Sequence, residues 1–224
     1  MGEPLRKVLV APSLLSCDLA NVATEVASVE AGGADLLHFD VMDGVFVPNL
    51  TFGPVLCQAV RRITRLPLDV HLMVADPTPL LQPFVTAGAD RVSVHVEATP
   101  HLHRVLGAIR ALGARPGVAI NPLTPNTAVE QAWPFVDFIL VMTVNPGFGG
   151  QRFIPEMLSK LAVLRQTRDD RWPAVELAID GGVDAEVAPA LIDNGADVLI
   201  AGTSVFAATD RAAAIRALKG DSPR

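Results

Sequence analysis

The stretch AGGADLLHFDV at residues 31–41 decides the fold, because it reads as the end of a helix, a glycine stop and then a buried strand. Similar phrases return as AGADRVSVHVE at 87–97 and NGADVLIAG at 194–202, with a looser copy, LGARPGVAIN, at 112–121. Further apolar runs typical of buried strands are KVLVAPS, LPLDVHLMV, VDFILVMTV and PAVELAIDGG, which begin at residues 7, 66, 136 and 173. The chain is therefore expected to repeat one strand and helix unit and to contain eight strands.

Helical segments separate these strands, and several begin with residues that commonly start helices. The starting residues are Asp18, the pair Asp76 and Pro77, and the pair Thr99 and Pro100. Strands that are apolar along their whole length and alternate with helices are typical of an α/β protein with a parallel sheet buried on both faces. Eight such units without a break in composition predict a single-domain (β/α)8 TIM barrel over residues 1–224, with a short flexible tail at about 219–224. An open doubly wound sheet is the alternative.

Composition and charge argue against several classes of partner. The chain of 224 residues carries a net charge of -6 without a basic stripe, and it has nine Phe, two Trp and no Tyr. With so little basic and aromatic surface, no nucleic acid partner is expected. No apolar run approaches a membrane span of about 20 residues, and Pro12 breaks the first run, so neither a membrane partner nor a signal peptide is predicted. Cys17 and Cys57 lie far apart without CxxC spacing, which favours reduced thiols and a cytoplasmic protein.

Four polar residues fall near the ends of predicted strands, where TIM barrels carry their chemistry. Side chains alternate along a strand, so His38 and Asp40 share one face of the second strand. The same alternation places His71 on the inner face of the third strand and Asp180 at the end of the seventh. We therefore expect these four side chains to converge at the barrel mouth. Two imidazoles and two carboxylates suit one divalent metal ion, Zn2+, Fe2+, Mn2+ or Co2+, without deciding among them.

The two carboxylates also suggest a reaction. The second and seventh strands are three steps apart around a ring of eight, so Asp40 and Asp180 would approach a central substrate from separate directions. One carboxylate could remove a proton from a carbon while the other delivers a proton to the opposite face, which inverts that centre. Acid and base catalysis contributes about 10² to 10⁴-fold, and a cation beside an enolate oxygen would add electrostatic stabilisation.

Glycine-rich phrases follow the last three strands. They are NPGFGGQ at 145–151, DGG at 180–182 and AGTS at 201–204. The backbone N–H groups of such loops can approach an anion closely, and the late loops of TIM barrels often bind phosphate, so a phosphate subsite is expected there.

Met42, Met73 and Met142 fall at inward positions near strand ends. They either fill the interior or form an apolar collar that limits water around a reactive substrate.

Other imidazole and acidic side chains are interpreted as supporting groups. His95 and Glu97 could form a rival acid and base pair, but a supporting or structural role is favoured. Asp43 begins the loop after the second strand and is expected to bond within loops rather than to bind the metal. The aspartates of the repeated phrase lie at strand starts, the stability end of a barrel, and are expected to be structural. They are Asp35, Asp90 and Asp197.

Taken together, these phrases resemble the ribulose-phosphate 3-epimerase family over nearly the whole chain. The similarity is carried, in the family's order, by APSLLSCD, HFDVMDGVFVPNLTFGP, DVHLMV, HVEATPHLHR, NPLTP, VMTVNPGFGGQ, DGGV and GADVLIAGTSVF. The resemblance implies interconversion of D-ribulose 5-phosphate and D-xylulose 5-phosphate at C3, through an enediolate, in the pentose phosphate pathway. It also implies a divalent metal at His38, Asp40, His71 and Asp180, with the two aspartates as the acid and base pair.

The resemblance extends to substrate contacts. Ser13 matches a substrate-contacting serine, and the expected substrate-binding set is Ser13, His71, Met42, Met73 and Met142. The expected phosphate cradle is Gly147, Phe148, Gly149, Gly150, Gly181, Gly182, Gly202 and Thr203. Thr203 replaces the more usual Ser and keeps a hydroxyl, whereas Asp184 and Val45 stand where Asn and a polar residue are common. Members of the family form homo-oligomers, so a homo-oligomer with a small phosphosugar substrate is expected.

Two alternative classes stay open on the sequence alone. One is a related phosphosugar enzyme, either an epimerase of a six-carbon ketose 6-phosphate or an aldolase. A Schiff-base aldolase is disfavoured because Lys7, Lys160 and Lys219 fall at a strand start, in a helix and in the tail, out of reach of the mouth. The other class is a non-catalytic phosphosugar-binding barrel, which predicts the loss of a proton-transfer carboxylate, yet Asp40 and Asp180 are both present.

Overall fold

The computed structural model describes residues 7–220, and within them eight parallel strands form one nearly closed barrel. The strands are β1 Leu9–Pro12, β2 Leu37–Met42, β3 Leu68–Met73, β4 Arg91–His95, β5 Arg115–Ile120, β6 Phe138–Met142, β7 Glu176–Asp180 and β8 Val198–Ala201. Each apolar run of the sequence supplies one strand. The predicted single-domain (β/α)8 TIM barrel is therefore confirmed.

Helices connect the strands on the outside of the barrel. They are α1 Val22–Ala31, α2 Pro54–Arg61, α3 Thr78–Thr86, α4 Leu102–Ala111, α5 Met157–Arg171, α6 Ala188–Asp193, α7 Thr203–Phe206 and α8 Arg211–Leu218. Short 3-10 helices lie at Leu14–Ser16, Leu19–Asn21, Val96–Ala98, Asn126–Val129 and Trp133–Phe135. The last two stand in place of an α-helix between β5 and β6. There Pro122, Pro125 and Pro134 each remove a backbone donor and prevent a longer helix.

The pairing of the strands positions the polar residues. Neighbouring strands pair in sequence from β2 to β8, and β8 pairs with β1. Asp40 lies opposite His71 across β2 and β3, and Met142 lies opposite Asp180 across β6 and β7. The remaining seam, between β1 and β2, is joined by a parallel bridge between Ser13 and His38. Because every strand runs in the same direction, all their carboxyl ends meet at one end of the barrel.

The strands are buried on both faces, which explains their continuous apolar sequence. Outward side chains such as Phe39 and Leu72 pack in the layer that includes the helices, while inward ones such as Leu140 and Phe138 fill the barrel. Gly117 is required inside, because a Cβ atom there would lie 2.3 Å from the Phe138 ring. Each large side chain buried in this way stabilises the fold by roughly 1.5–3 kcal/mol.

The aspartates of the repeated phrase bond to the strand that precedes them. Each carboxylate accepts a backbone N–H near the start of that strand: Asp35 from Val10 at 2.9 Å, Asp90 from Leu68 at 2.8 Å and Asp197 from Leu177 at 2.8 Å. These bonds lie at the amino ends of the strands, away from the polar cluster, and they tie each unit to the one before it. The structural role predicted for these residues is confirmed.

Lys219, near the end of the described residues, contacts the barrel. Lys219 Nζ donates to the Gly33 carbonyl at 2.7 Å and lies 2.6 Å from Asp35 Oδ2, so the residue at which the flexible tail is predicted to begin is anchored. Residues 221–224 of that predicted tail lie outside the described residues. Over residues 7–220, no helix has both the length and the apolar character needed to cross a membrane.

Candidate active site and metal centre

Four side chains converge at the carboxyl ends of the strands, as their alternation predicts. His38 and Asp40 come from β2, His71 from β3 and Asp180 from the last position of β7. One donor atom of each residue lies within 4.8 Å of the other three. His38 Nε2 lies 3.5 Å from Asp40 Oδ1 and 3.8 Å from Asp180 Oδ2. His71 Nδ1 lies 3.6 Å and 3.5 Å from the same two oxygens.

The ring nitrogens that face this cluster fit a divalent cation. Neither His38 Nε2 nor His71 Nδ1 has a hydrogen-bond partner among the described residues, although both atoms are buried. A buried polar atom without a partner costs roughly 1–3 kcal/mol, which favours a bound group between the four side chains. Burial opposes protonation of His38, but the charges of Asp40 and Asp69 and the hydrogen bond to Asp69 raise its pKa well above its ordinary value, so the cluster favours positive charge. This nitrogen and oxygen donor set suits Zn2+, Fe2+, Mn2+ or Co2+ rather than Mg2+.

A buried carboxylate behind His38 sets the orientation of that ring. Asp69 lies opposite His38 across β2 and β3, and its Oδ2 is 2.9 Å from His38 Nδ1. Arg91 Nε donates to Asp69 Oδ1 at 3.2 Å. Because an ionised carboxylate can only accept, His38 donates through Nδ1, and Nε2 is the nitrogen that faces the cluster and could bind a cation in place of a proton. Alternation places Asp69 on the same inner face as His71, two residues before it, but the sequence does not predict its pairing with His38.

The other histidine, His71, is backed by a second imidazole. His71 Nε2 and His95 Nε2 lie 2.8 Å apart, and His95 Nδ1 lies 3.0 Å from Glu97 Oε2. Burial lowers the pKa of His95 to about 4, so its ring is neutral near pH 7. Burial opposes ionisation of Glu97, but hydrogen bonds from His95, Thr124 and Asn121 lower its pKa to about 2. His95 and Glu97 are not among the described residues that line the cavity, which supports their predicted role behind the site.

The two carboxylates of the cluster differ in their electrostatic surroundings. Burial and the nearby charge of Asp40 raise the pKa of Asp180 above its ordinary value. Burial acts in the same direction on Asp40, but the nearby charges of His38 and His71 hold the pKa of Asp40 below its ordinary value. Two carboxylates whose pKa values are pushed apart can serve as base and acid in one reaction.

Ser13, at the end of β1, contacts the cluster directly. Its Oγ donates to Asp40 Oδ2 at 2.5 Å and accepts from Leu15 N at 3.2 Å. The first bond engages the Asp40 oxygen that the four-atom cluster does not use. Ser13 therefore orients the Asp40 carboxylate, and it also lies in the wall of the adjacent cavity.

Asp43 bonds to backbone groups of two loops. Its Oδ1 accepts from Val45 N and Phe46 N, and its Oδ2 accepts from Ala75 N, each at 2.8 Å. Burial opposes ionisation, but these three bonds lower the pKa of Asp43. Asp43 therefore joins the loop after β2 to the loop after β3, in agreement with the prediction that it bonds within loops.

A cavity of about 690 Å³ adjoins the cluster. Asp40 and Asp180 form part of its wall, together with the three methionines that the sequence places near strand ends. Met42 and Met73 lie opposite each other on β2 and β3, and Met142 lies opposite Asp180. Each methionine is at most 3% exposed. Apolar side chains thus form part of the wall beside the carboxylates, which strengthens electrostatic interactions there.

The glycine-rich loops form another part of the wall. The lining residues from these loops include Gly147, Phe148, Gly149, Gly150, Gly181, Gly182, Gly202 and Thr203. Gly182 has φ of 66°, and a Cβ atom there would lie 2.3 Å from Phe153 N. A Cβ atom on Gly202 would lie 2.4 Å from Ser16 Oγ. Ser16, which sequence reasoning did not select, lines the same cavity, with its Oγ 3.4 Å from Thr203 Oγ1.

Lys160 lies closer to the carboxyl ends of the strands than its helical position predicts. Its Nζ donates to the carbonyl oxygens of Asn121 and Thr124, at 2.9 Å and 2.5 Å, in the segment after β5. Lys160 is nevertheless absent from the described cavity lining, and its ammonium group is held by backbone acceptors. A Schiff base with a ligand in the cavity is therefore disfavoured on structural grounds as well.

Comparison with known proteins identifies the family. The model of the ribulose-phosphate 3 epimerase family matches residues 9–206. The ribulose-phosphate 3-epimerase of Bacillus subtilis (strain 168) is 47% identical over 214 residues, which cover 95% of this chain and 99% of that protein. The ribulose-phosphate 3-epimerase of Synechocystis sp. is 46% identical over 216 residues, or 96% of this chain and 94% of that protein.

Solved structures at lower identity share the fold. The 3-hexulose-6-phosphate synthase of Salmonella typhimurium has a TM-score of 0.71 at 19% identity, with 96% of this chain and 98% of that chain covered. KGPDC from Streptococcus mutans has a TM-score of 0.72 at 18% identity, with 97% of each chain covered. At such identities the likeness extends to the barrel architecture alone. The match to the family model and the long alignments to curated relatives go further: this chain is an enzyme of the epimerase class and belongs to the ribulose-phosphate 3-epimerase family.

Proposed function

We propose that this chain interconverts D-ribulose 5-phosphate and D-xylulose 5-phosphate by metal-dependent epimerisation at C3, in the pentose phosphate pathway. The observation that carries the proposal is the buried cluster of His38, Asp40, His71 and Asp180, in which two carboxylates with opposed pKa shifts face two unpartnered imidazole nitrogens. The names of the curated relatives support the choice of substrate.

Proton transfer is assigned to the two carboxylates. Asp40, whose pKa is held low, is ionised and suited to removing the C3 proton from one face of the substrate. Asp180, whose pKa is raised, is suited to holding a proton and delivering it to the opposite face, and the roles exchange in the reverse direction. The product of these two steps is the inverted centre at C3, reached through an enediolate.

Proton transfer by the two carboxylates cannot by itself account for the rate enhancement of an enzyme. Acid and base catalysis contributes about 10² to 10⁴-fold, whereas enzymes usually reach at least about 10⁶-fold. A divalent cation held by the four side chains would stabilise the negative charge that develops on the substrate oxygens. Ser13 holds the Asp40 carboxylate in place at 2.5 Å, and Met42, Met73 and Met142 limit the access of water.

The phosphate group of the substrate is assigned to the glycine-rich loops. Glycine leaves backbone N–H groups open to an anion, and the cavity joins these loops to the two aspartates. Thr203 and Ser16 add hydroxyl groups on the same wall. A substrate with its phosphate on this wall would present its carbon chain to the carboxylates.

The proposal includes the oligomeric state and the cellular compartment of the enzyme. Val45 and Leu50, in the loop after β2, are 77% and 76% exposed, and these apolar side chains support contact between copies in a homo-oligomer. Cys17 and Cys57 are free thiols, which supports the cytoplasm as the compartment.

One experiment tests the activity and the metal together. Metal content and C3 epimerisation of ribulose 5-phosphate are measured on the same preparation, before and after chelation and after the return of Zn2+, Fe2+, Mn2+ or Co2+. We expect bound metal, loss of turnover on chelation and recovery on return. Full turnover of the metal-free protein would refute metal dependence, and metal retention without epimerisation would refute the reaction. A six-carbon ketose 6-phosphate serves as the comparison substrate.

A further inference from the structure

His71 is connected to a chain of polar groups that runs away from the substrate cavity. His71 Nε2 lies 2.8 Å from His95 Nε2, and His95 Nδ1 lies 3.0 Å from Glu97 Oε2. The other Glu97 oxygen, Oε1, accepts from Thr124 Oγ1 and, at 3.0 Å, from Asn121 N. His95 is completely buried. It is not among the described residues that line the cavity.

When both imidazole rings are neutral, the donors and acceptors of this chain allow one arrangement of protons. An ionised Glu97 can only accept, so His95 Nδ1 carries a proton and donates it to Oε2. In the neutral ring, His95 Nε2 is then an acceptor, and His71 Nε2 supplies the donor. A neutral His71 ring consequently has its proton on Nε2 and a free lone pair on Nδ1, the atom that lies 3.6 Å from Asp40 Oδ1 and 3.5 Å from Asp180 Oδ2.

We propose that His95 and Glu97 are positioning residues that fix the tautomer and ring orientation of His71, so that Nδ1 is open to a divalent metal ion. This inference rests on the proposed metal site. A group behind a ligating histidine commonly has this effect, and its loss typically weakens metal binding 10 to 100-fold. The arrangement differs from that of His38, whose Nδ1 donates directly to the Asp69 carboxylate. His38 therefore presents Nε2 to the cluster, and His71 presents Nδ1.

The surroundings hold this chain of groups rigidly. The His95 ring lies between His71, with ring centroids 5.0 Å apart, and Phe46, with centroids 4.7 Å apart. Lys160 Nζ bonds to the carbonyl oxygens of Asn121 and Thr124, the two residues whose donors fix Glu97. Glu97 therefore has little freedom to choose another partner, and its charge is directed at His95.

Glu97→Gln tests the inference because the backbone dictates how the amide must point. Asn121 N–H needs an acceptor, so the Gln oxygen takes the place of Oε1 and the amide NH2 faces His95 Nδ1. His95 Nδ1 becomes an acceptor, His95 Nε2 becomes a donor, and the His71 proton moves to Nδ1. The variant thus keeps the size of every side chain but reverses the order of the protons.

The readouts are the imidazole 15N shifts of the metal-free protein, at a pH at which the His71 ring is neutral, and the Kd for Zn2+ from competition with a chelator. The native protein should show His71 protonated on Nε2, and Glu97→Gln should show it protonated on Nδ1, with a Kd for Zn2+ about 10 to 100-fold higher. The control is Glu30→Gln, which alters a carboxylate that likewise accepts a threonine hydroxyl, Thr64 Oγ1 at 2.8 Å, in the last turn of α1 at the other end of the barrel. It should change neither readout.

A second variant tests the inference independently, in case Glu97→Gln folds poorly. His95→Phe keeps an aromatic ring between His71 and Phe46 but removes the acceptor, so it should also raise the Kd for Zn2+ at least about tenfold. A native Zn2+ affinity in both variants, or a native His71 protonated on Nδ1, would overturn the inference and leave the proposed function standing. A native protein that binds no Zn2+, Fe2+, Mn2+ or Co2+ would overturn the metal site and the inference together.

Discussion

Asp180→Asn separates the two proton transfers that we propose for Asp40 and Asp180. Asn keeps the shape of the side chain and an oxygen that can face His71 Nδ1, which lies 3.5 Å from Asp180 Oδ2. It can neither take nor give the transferred proton. The loss of one acid and base group lowers kcat by about 10² to 10⁴-fold, which corresponds to roughly 3–5 kcal/mol of transition-state stabilisation.

The assay follows the C3 proton as well as the product. Each pentulose phosphate is incubated with the variant in D2O, and NMR measures both inversion and exchange of the C3 proton. Asp40 is still present, so it should exchange the proton of the epimer whose C3–H faces it, without inversion. The other epimer should show no exchange. The native enzyme should invert and exchange both epimers.

Metal content is measured in parallel, since Asp180 belongs to the proposed metal site. Asp184→Asn is the matched control, because Asp184 lines the same cavity and its Oδ1 accepts from Glu186 N and Val187 N, away from the cluster. It should leave kcat within about threefold of the native value, well under the loss expected for an acid and base group. A metal-loaded Asp180→Asn protein with near-native kcat, or with equal exchange of both epimers, would refute the assignment.

Asp43→Asn should lower kcat far less than Asp40→Asn, because Asp43 bonds backbone groups of two loops; equal losses in steady-state kinetics would contradict this division. The same Asp43→Asn change should reduce the amount by which the free energy of unfolding falls as the pH is lowered. A carboxylate with a lowered pKa stabilises the fold above its unfolded pKa of about 4 and loses that contribution as the pH falls through the folded value, and urea unfolding at about pH 3 and pH 7 measures this. Gly182→Ala should raise KM at least about tenfold, or 1.4 kcal/mol of binding, because its Cβ atom would lie 2.3 Å from Phe153 N. Gly107→Ala, with open space around its Cβ position, is the control, and an unchanged KM for Gly182→Ala would argue against substrate binding at this loop.

The connections between strands were less predictable than the strands. Apolar runs and glycine stops are local signals, and each of them corresponds to a strand in the barrel. The segment between β5 and β6 folds into 3-10 turns at Asn126–Val129 and Trp133–Phe135, because prolines interrupt it. From its place in a helix, Lys160 is predicted to be out of reach of the mouth, and it is absent from the described cavity lining. Its long side chain nevertheless reaches the carbonyl oxygens after β5, a contact between distant segments that no local pattern encodes.

Strand register decides which residues lie behind the cluster, and so these residues could not be predicted from single strands. Alternation correctly placed His38, Asp40 and His71 on inward faces, since that depends only on counting along one strand. The partner of His38 is Asp69, which lies opposite it on the next strand. Whether two strands are aligned in that way, or shifted by two residues, cannot be read from either strand by itself.

The sequence by itself determined the barrel and the four residues that meet at its mouth, because parallel strands bring their carboxyl ends to one place and alternation selects the inward side chains. Only the tertiary structure decided which nitrogen of each histidine faces the cluster. That choice depends on the group behind each ring, Asp69 for His38 and His95 for His71, and these partners are brought within 2.9 Å and 2.8 Å by pairing and packing between strands. A hydrogen bond forms only when donor and acceptor are at the right distance and angle, so the nitrogen that each ring turns to the cluster depends on the complete fold.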